Sequence, residues 1–206
     1  MLRSVVVMDY QNVHLTARDL FDPAGETYNS LIHPMKFAEA AIRQRNQKQR
    51  PGYPHAELVK VIAFRGLPHV DYDWEQNRRC LDQATQWRKD GAEVRLRDLK
   101  YQFKRDGSGS AIKDVYGKKM PKGKPQEKGV DVLCALECFS QAIDPEVDLV
   151  LLASRDTDLV PVLDRVFDLH KEDKKVASIE TLSWYNYQAK KRGKIPRKSF
   201  TSLRRA

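Results

Sequence analysis

Cysteine and histidine are scarce in this 206-residue chain, which has three Cys and five His. An odd number of cysteines does not favour a disulfide framework, and no histidine lies at zinc-ligand spacing from Cys134 and Cys138. Because these two cysteines are four residues apart, they share one face of a helix. We therefore expect Cys80, Cys134 and Cys138 to be buried free thiols.

Long hydrophobic runs are also missing. The first apolar run, residues 5–8, ends at Asp9, which makes it too short for the apolar region of a secretory signal. No segment approaches the roughly 20 apolar residues that span a bilayer. We therefore expect a cytoplasmic protein without a membrane span.

Several catalytic motifs are absent as well. The nucleotide-binding pattern GxxxxGK[ST] does not occur, and GSGSAIK lacks its lysine spacing and preceding strand. No nucleophile elbow of a Ser/His/Asp hydrolase is present. DYQNV lacks the second Asp of a haloacid-dehalogenase-type motif. These absences disfavour a P-loop enzyme and a hydrolase that works through a covalent intermediate.

Positive charge, by contrast, is abundant and concentrated. The net charge is +9, and residues 99–128 hold nine Lys/Arg against three Asp/Glu, while residues 183–206 hold eight against none. The rest of the chain is therefore mildly acidic. Basic segments that neutralise phosphates release counterions, which is typical of nucleic-acid-binding surfaces. The alternative is that these lysines are merely solvated.

Strand and helix patterns alternate along the chain. Strands are predicted at 3–9, 56–66, 92–99, 147–154 and 174–183, and helices at 33–47, 73–91, 129–143 and 157–170. Near-continuous apolar strands that alternate with helices predict an α/β fold, a three-layer sandwich with a central parallel sheet. Residues 100–127, rich in Gly, Ser, Pro and Lys, predict a long loop.

Carboxylates follow two of the predicted strands. Asp9 ends the first strand, Asp156 ends the fourth, and Asp158 enters the next helix; Asp131 stands in the first turn of the helix before the fourth strand. Ligands of open parallel sheets bind beyond the carboxyl ends of the strands. Oxygen ligands without His or Cys suit Mg²⁺ or Mn²⁺, and a metal pair can support phosphodiester hydrolysis.

Structural roles are the alternative for the same residues. Asp156 could be a helix N-cap, and Asp158 and Asp131 could be favourable partners of a helix dipole. Asp9 begins no obvious helix cap. Because these carboxylates are expected at the same edge of the sheet, we favour the metal site over purely structural roles.

Three motifs, VVVMDYQNV, EKGVDVLCALECF and LVLLASRDTDLVPVL, together resemble the NYN domain, in the LabA-like branch of the PIN-like nuclease superfamily. The family patterns fall on Asp9 and Asn12, on residues 128–132 and on residues 154–158, within a match over residues 2–182. The resemblance implies a Rossmann-like PIN fold. The expected domains are a nuclease domain, 1–183, with a basic loop at 100–128, and a basic tail, 184–206.

The resemblance also implies metal-dependent cleavage of RNA. The implied catalytic metal ligands, direct or through water, are Asp9, Asp131, Asp156 and Asp158. Asn12 is expected to orient a ligand or phosphate, and Ser154 and Thr157 to hydrogen-bond the substrate backbone. Further substrate contacts are expected from Arg155, Lys128, Lys190, Lys191 and Arg192.

Two positions depart from the family pattern. Arg155 replaces a glycine, which could disturb the turn or could supply a guanidinium that holds a phosphate. Glu137 stands where many relatives have Asp, and it is either a supporting or a purely structural residue. His14, near Asp9, could have a role in the site, but a polar loop contact is the favoured expectation.

Aromatic and basic residues alternate in the tail. Trp184, Tyr185, Tyr187 and Phe200 lie among its lysines and arginines. Such residues can stack unpaired bases; alternatively, Trp184 caps the last strand and the lysines are solvated. Both interpretations stay open.

The leading hypothesis is a ribonuclease that uses Mg²⁺ or Mn²⁺, with RNA as its single-stranded or structured partner. The principal alternative is a non-catalytic RNA-binding or adaptor protein on the same fold. A phosphatase for small phosphoesters could use the same carboxylates, but it leaves the two basic segments unexplained.

Overall fold

A computed structural model describes residues 1–186 and 191–192. The main strands are β1 (Leu2–Asp9), β2 (Ala56–Leu67), β3 (Glu93–Asp98), β4 (Leu149–Ala153) and β5 (Ser178–Leu182). The helices are α1 (Tyr10–Phe21), α2 (Pro34–Gln47), α3 (Trp74–Lys89), α4 (Val130–Ala142) and α5 (Val160–Glu172). Short 3-10 turns occupy Thr27–Ser30 and Thr157–Leu159, and β6 (Tyr185–Asn186) pairs with β7 (Lys191–Arg192).

The five main strands form one parallel sheet with the order β3-β2-β1-β4-β5. The central strand β1 pairs with β2 on one side and with β4 on the other, so that Val6 lies between Val61 and Leu151. The predicted α/β class with a parallel sheet is confirmed. Because β1 and β4 are neighbours, the residues that follow them meet at one edge.

Alternate residues of β1 face two different helical layers. Val6 and Met8 belong to a core with α1, α2 and α3, whereas Val5 and Val7 belong to a core with α4 and α5. All four side chains are fully buried. This burial on both faces explains why the strand is a continuous apolar run and not an alternating one.

The three cysteines are buried and free, as predicted. Burial raises the pKa of each thiol, which keeps these groups protonated and unreactive. Cys134 and Cys138 lie in the core between α4 and the sheet.

Helix α1 was missed by the sequence prediction, which placed no element between the first strand and residue 33. The helix starts directly after β1, and Asp9 is its N-cap, since the Asp9 side chain accepts from the Asn12 backbone N–H. The expectation that Asp9 caps no helix was therefore wrong. A helix that begins at the last residue of a strand leaves no turn residues to mark the boundary.

The predicted long loop was also wrong in part, because residues 100–126 form a narrow arm of antiparallel bridges. The bridges join Lys100 to Gln126, Phe103 to Pro121, Arg105 to Ala111 and Lys113 to Lys119. Two tight turns reverse the chain, one at residues 106–109 and one at residues 114–117. We call residues 100–126 the arm.

None of the helices within the described residues combines the length and the apolar character needed to cross a membrane.

Candidate active site and metal centre

A cavity of about 380 Å³ opens at the carboxyl edge of the sheet, beyond β1 and β4. It is lined by Asp9, Glu127, Lys128, Gly129, Val130, Asp131, Val132 and Asp156. Three of the four predicted carboxylates therefore share one cavity, although they come from β1, α4 and the turn after β4. Their convergence follows from the pairing of β1 with β4.

Asp9 is the most enclosed carboxylate of the cavity, with 7% of its surface exposed. Its Oδ1 accepts from the Asn12 backbone N–H at 3.1 Å, and its Oδ2 accepts from Ser154 Oγ at 3.2 Å. Burial raises the pKa of Asp9, and the charges of Asp156 and Asp131 raise it further, while the two hydrogen bonds act in the opposite direction. A cation in the cavity would relieve this repulsion.

Ser154 connects Asp9 to the turn that carries Asp156. The buried Ser154 hydroxyl donates to Asp9 and accepts from the Asp156 backbone N–H at 3.1 Å. The Asp156 side chain in turn accepts from the Asp158 backbone N–H at 3.0 Å and caps the 3-10 turn. Asp156 thus has the N-cap role considered above and also lines the cavity.

Asn12 fixes the same turn from the side of α1. Its Oδ1 accepts from the Arg155 backbone N–H at 2.9 Å. The arginine in the family's glycine position therefore leaves the turn closed and Asp156 in the cavity. The Arg155 side chain lines a separate small recess that also contains Phe37 and Trp184.

Asp131 is held at the cavity by the start of α4. Gly129 precedes this helix with a φ of 79°, a left-handed conformation that favours glycine. Arg97 Nε donates to the carbonyl of Lys128 at 2.7 Å and fixes the approach to the helix. Asp131 then falls in the first turn, as predicted, where the helix dipole favours a carboxylate.

Glu127 is a cavity residue that the sequence interpretation missed. Its carboxylate accepts a short hydrogen bond from the Gly66 backbone N–H at the end of β2. Burial, with a smaller contribution from the charge of Asp9, raises the pKa of Glu127 to about 7; the Gly66 hydrogen bond and Arg65 oppose this rise. The sequence does contain a signal for this role, because Glu127 is an acidic residue directly before Lys-Gly-Val-Asp in an otherwise basic segment.

Among the predicted site residues whose side chains are described, five are absent from the cavity lining, and Asn12, Ser154 and Arg155 are three of them. The other two, Asp158 and Thr157, are exposed and lie outside the lining. Lys128, by contrast, is exposed and lines the cavity, so it is accessible to an anionic ligand.

Glu137 has a structural position. It is buried, pairs with Arg95, and accepts from Gln141 Nε2 at 2.8 Å. His14 Nε2 lies 2.7 Å from the Thr27 carbonyl oxygen, which is the expected polar loop contact.

The start of the tail packs against the domain. Trp184 Nε1 donates to the Val13 carbonyl at 2.9 Å, and its ring contacts Phe21 and Phe37, which favours a capping role for this residue. Lys191 and Arg192 form β7, but their side chains are not described, and Lys190, Tyr187 and Phe200 lie outside the described residues.

The donor set of the cavity suits a hard divalent cation, because it contains carboxylate oxygens without thiol or imidazole ligands. Across residues 1–186, however, no three acidic, His or Cys side chains converge tightly enough to form a finished ligand set. The chemistry of the cavity thus fits Mg²⁺ or Mn²⁺, while the carboxylates are spread around its wall.

Comparison with known proteins identifies the family of the chain. The family model of the NYN domain matches residues 3–181. The chain is also similar to the crystal structure of a protein of unknown function from Vibrio parahaemolyticus, with 20% identity, a TM-score of 0.45, and coverage of 88% of this chain and 80% of that one. No curated protein matches the chain. From the match over residues 3–181 and the α/β fold around the cavity, we conclude that the chain belongs to the NYN domain family, a branch of the PIN-like nuclease superfamily.

Proposed function

We propose that the chain is a metal-dependent ribonuclease that hydrolyses RNA phosphodiester bonds at this cavity. The observation that carries the proposal is the shared lining of Asp9, Asp131 and Asp156. Burial, with smaller contributions from the charges of Asp156 and Asp131, raises the pKa of Asp9, so three ionised carboxylates here are costly in the absence of a cation. NYN domains are generally nucleases, and the family membership therefore supports the same reaction.

Asp9, Asp131 and Asp156 would hold Mg²⁺ or Mn²⁺, with the exposed Asp158 acting through a water molecule. A divalent cation bound there would supply an activated water and stabilise negative charge on the phosphate. The chain's own residues have distinct tasks. Asn12 and Ser154 fix the orientation of the Asp9 carboxylate through the two hydrogen bonds described above.

A nucleic acid is the proposed substrate because basic residues lie at the cavity and in the adjacent arm, and the NYN family favours RNA within that class. Lys128 lines the cavity, and the basic arm ends two residues earlier in the chain. We assign cleavage to residues 1–183. We assign added phosphate contacts to the tail, 184–206, with Lys190, Lys191 and Arg192.

The test is the substitution Asp156→Asn. The Asn side chain retains an acceptor for the Asp158 N–H, so the turn should persist, but a charged ligand is lost. We expect RNA cleavage in Mn²⁺ to fall by about 100-fold or more, with RNA affinity in EDTA changed by less than about twofold. The matched control is Asp82→Asn, which removes an exposed carboxylate on α3 and should cleave normally.

An Asp156→Asn protein that cleaves as fast as the wild type would contradict the proposal. A wild-type protein that binds RNA but cleaves none in Mg²⁺ or Mn²⁺ would instead favour the non-catalytic RNA-binding alternative.

A further inference from the structure

The arm contains two turns with the same construction, eight residues apart. In the first, Asp106 Oδ1 accepts from the backbone N–H groups of Ser108 and Ser110 at 2.9 and 3.0 Å. In the second, Asp114 Oδ1 accepts from those of Tyr116 and Lys118, both at 2.9 Å. Each turn closes on a glycine with positive φ, Gly109 or Gly117. Tyr116 therefore occupies the position that Ser108 occupies in the first turn.

The comparison of the two turns shows that the fold of the turn does not require an aromatic side chain at residue 116. Tyr116 is nevertheless 86% exposed, and its neighbour Val115 is 92% exposed. They are the most exposed large apolar side chains in the part of the chain that the structure describes. Because these side chains stay in water in the folded protein, their apolar surface does not stabilise the fold. A bound ligand would bury this surface.

Lysines around the turn indicate the charge of that ligand. Lys113 and Lys119 are paired directly across an antiparallel bridge, and like charges at opposed positions destabilise a hairpin. Lys118 forms an ion pair with Asp71 at 3.2 Å, but within the described residues neither Lys113 nor Lys119 has an acidic partner within 4.0 Å. A polyanion would compensate this repulsion.

Ring contacts and a hydrogen bond attach the arm to the rest of the domain. The Tyr72 ring lies 4.9 Å from the Tyr101 ring and 5.5 Å from the Phe103 ring. Tyr101 Oη accepts from the His69 backbone N–H at 3.1 Å. Because His69 and Tyr72 follow β2, these contacts attach the arm to the carboxyl edge of the sheet, where the cavity opens.

We propose that Tyr116 is a stacking site for an unpaired base, and that the arm thereby directs the protein to single-stranded RNA. The proposal deepens the proposed function and rests on RNA being the ligand. An exposed aromatic ring offers a face to any unpaired base, and neighbouring cations follow the backbone. A duplex keeps its bases stacked internally, so it can use the lysines but not the ring.

The experiment measures the affinity of the full chain for a short single-stranded RNA that carries 2-aminopurine, and for the same strand in a duplex, in EDTA. Tyr116→Ser copies the residue of the first turn and should weaken single-strand binding by about fivefold or more. Duplex affinity should change by less than about twofold. Tyr116→Phe, which retains the ring, should bind both RNAs with the affinity of the wild type.

The matched control is Tyr53→Ser, because Tyr53 is 62% exposed but lies just before β2, at the opposite edge of the sheet. It should leave both affinities unchanged. The stacking site would be contradicted if Tyr116→Ser bound the single strand as tightly as the wild type does. An equal loss of affinity for the duplex and the single strand would also contradict it. Since EDTA prevents metal-dependent cleavage, a failure of the ribonuclease proposal would appear in the cleavage assay and not in this one.

Discussion

Glu127 gives the sharpest quantitative prediction, because its titration is expected to change the stability of the protein. The pKa of Glu127 is about 7 in the folded protein, against an ordinary value of 4.5. The folded state therefore binds this proton more tightly than the unfolded state does. The resulting stabilisation is fully present below pH 4.5, declines as the pH rises, and is lost above about pH 7.

The magnitude follows from the size of the shift. One pKa unit corresponds to about 1.4 kcal/mol, so the deprotonation of Glu127 costs about 3 kcal/mol of folding free energy at pH 8. Glu127→Gln retains an acceptor for the Gly66 N–H but cannot ionise. We expect the variant to exceed the wild type by about 1 kcal/mol at pH 5 and by about 3 kcal/mol at pH 8.

Urea unfolding at pH 5, 6, 7 and 8 in EDTA measures this difference. The matched control is Glu39→Gln, which removes an exposed carboxylate on α2 and should add no such dependence on pH. A stability difference between Glu127→Gln and the wild type that stays constant from pH 5 to pH 8 would refute the reasoning.

Three further predictions concern other contacts. Ser154→Ala leaves the partly buried Asp156 N–H without its acceptor and should cost about 1–2 kcal/mol in urea unfolding; an unchanged midpoint would contradict the link between Asp9 and this turn. Arg45→Met strands the buried Glu180 carboxylate and should cost about 3–5 kcal/mol, most of it recovered when Glu180→Met is added; equal losses in both proteins would contradict the pairing. RNA affinity should fall linearly on a logarithmic salt scale, and a flat response would mean that the lysines are only solvated.

The fold could be predicted because its determinants are local patterns. Continuous apolar runs such as residues 5–8 identify strands that are buried on both faces, and alternation with helices implies a parallel sheet. Helix α1 could not be recognised in the same way, because Asp9 ends a strand and caps the helix at once. The arm was missed because its bridges join residues without an alternating apolar pattern.

The sequence predicts the position of a site residue only where that residue follows one of two neighbouring strands. Once β1 and β4 are neighbours, Asp9 and Asp156 must lie near one another. The place of Glu127 depends on the left-handed turn at Gly129 and on a contact with Gly66, and neither has a periodic signature. Asp158, two residues beyond Asp156, lies outside the cavity lining because the 3-10 turn redirects the chain.

The central claim is that Asp9, Asp131 and Asp156 share a divalent cation. Titration of the wild-type protein with Mn²⁺, followed by the electron paramagnetic resonance signal of the free ion, tests this claim without any substrate. The account predicts saturable binding that weakens by about tenfold or more in Asp9→Asn and is unchanged in Asp82→Asn. Equal Mn²⁺ binding by the wild type and Asp9→Asn, or no saturable binding by the wild type, would contradict it.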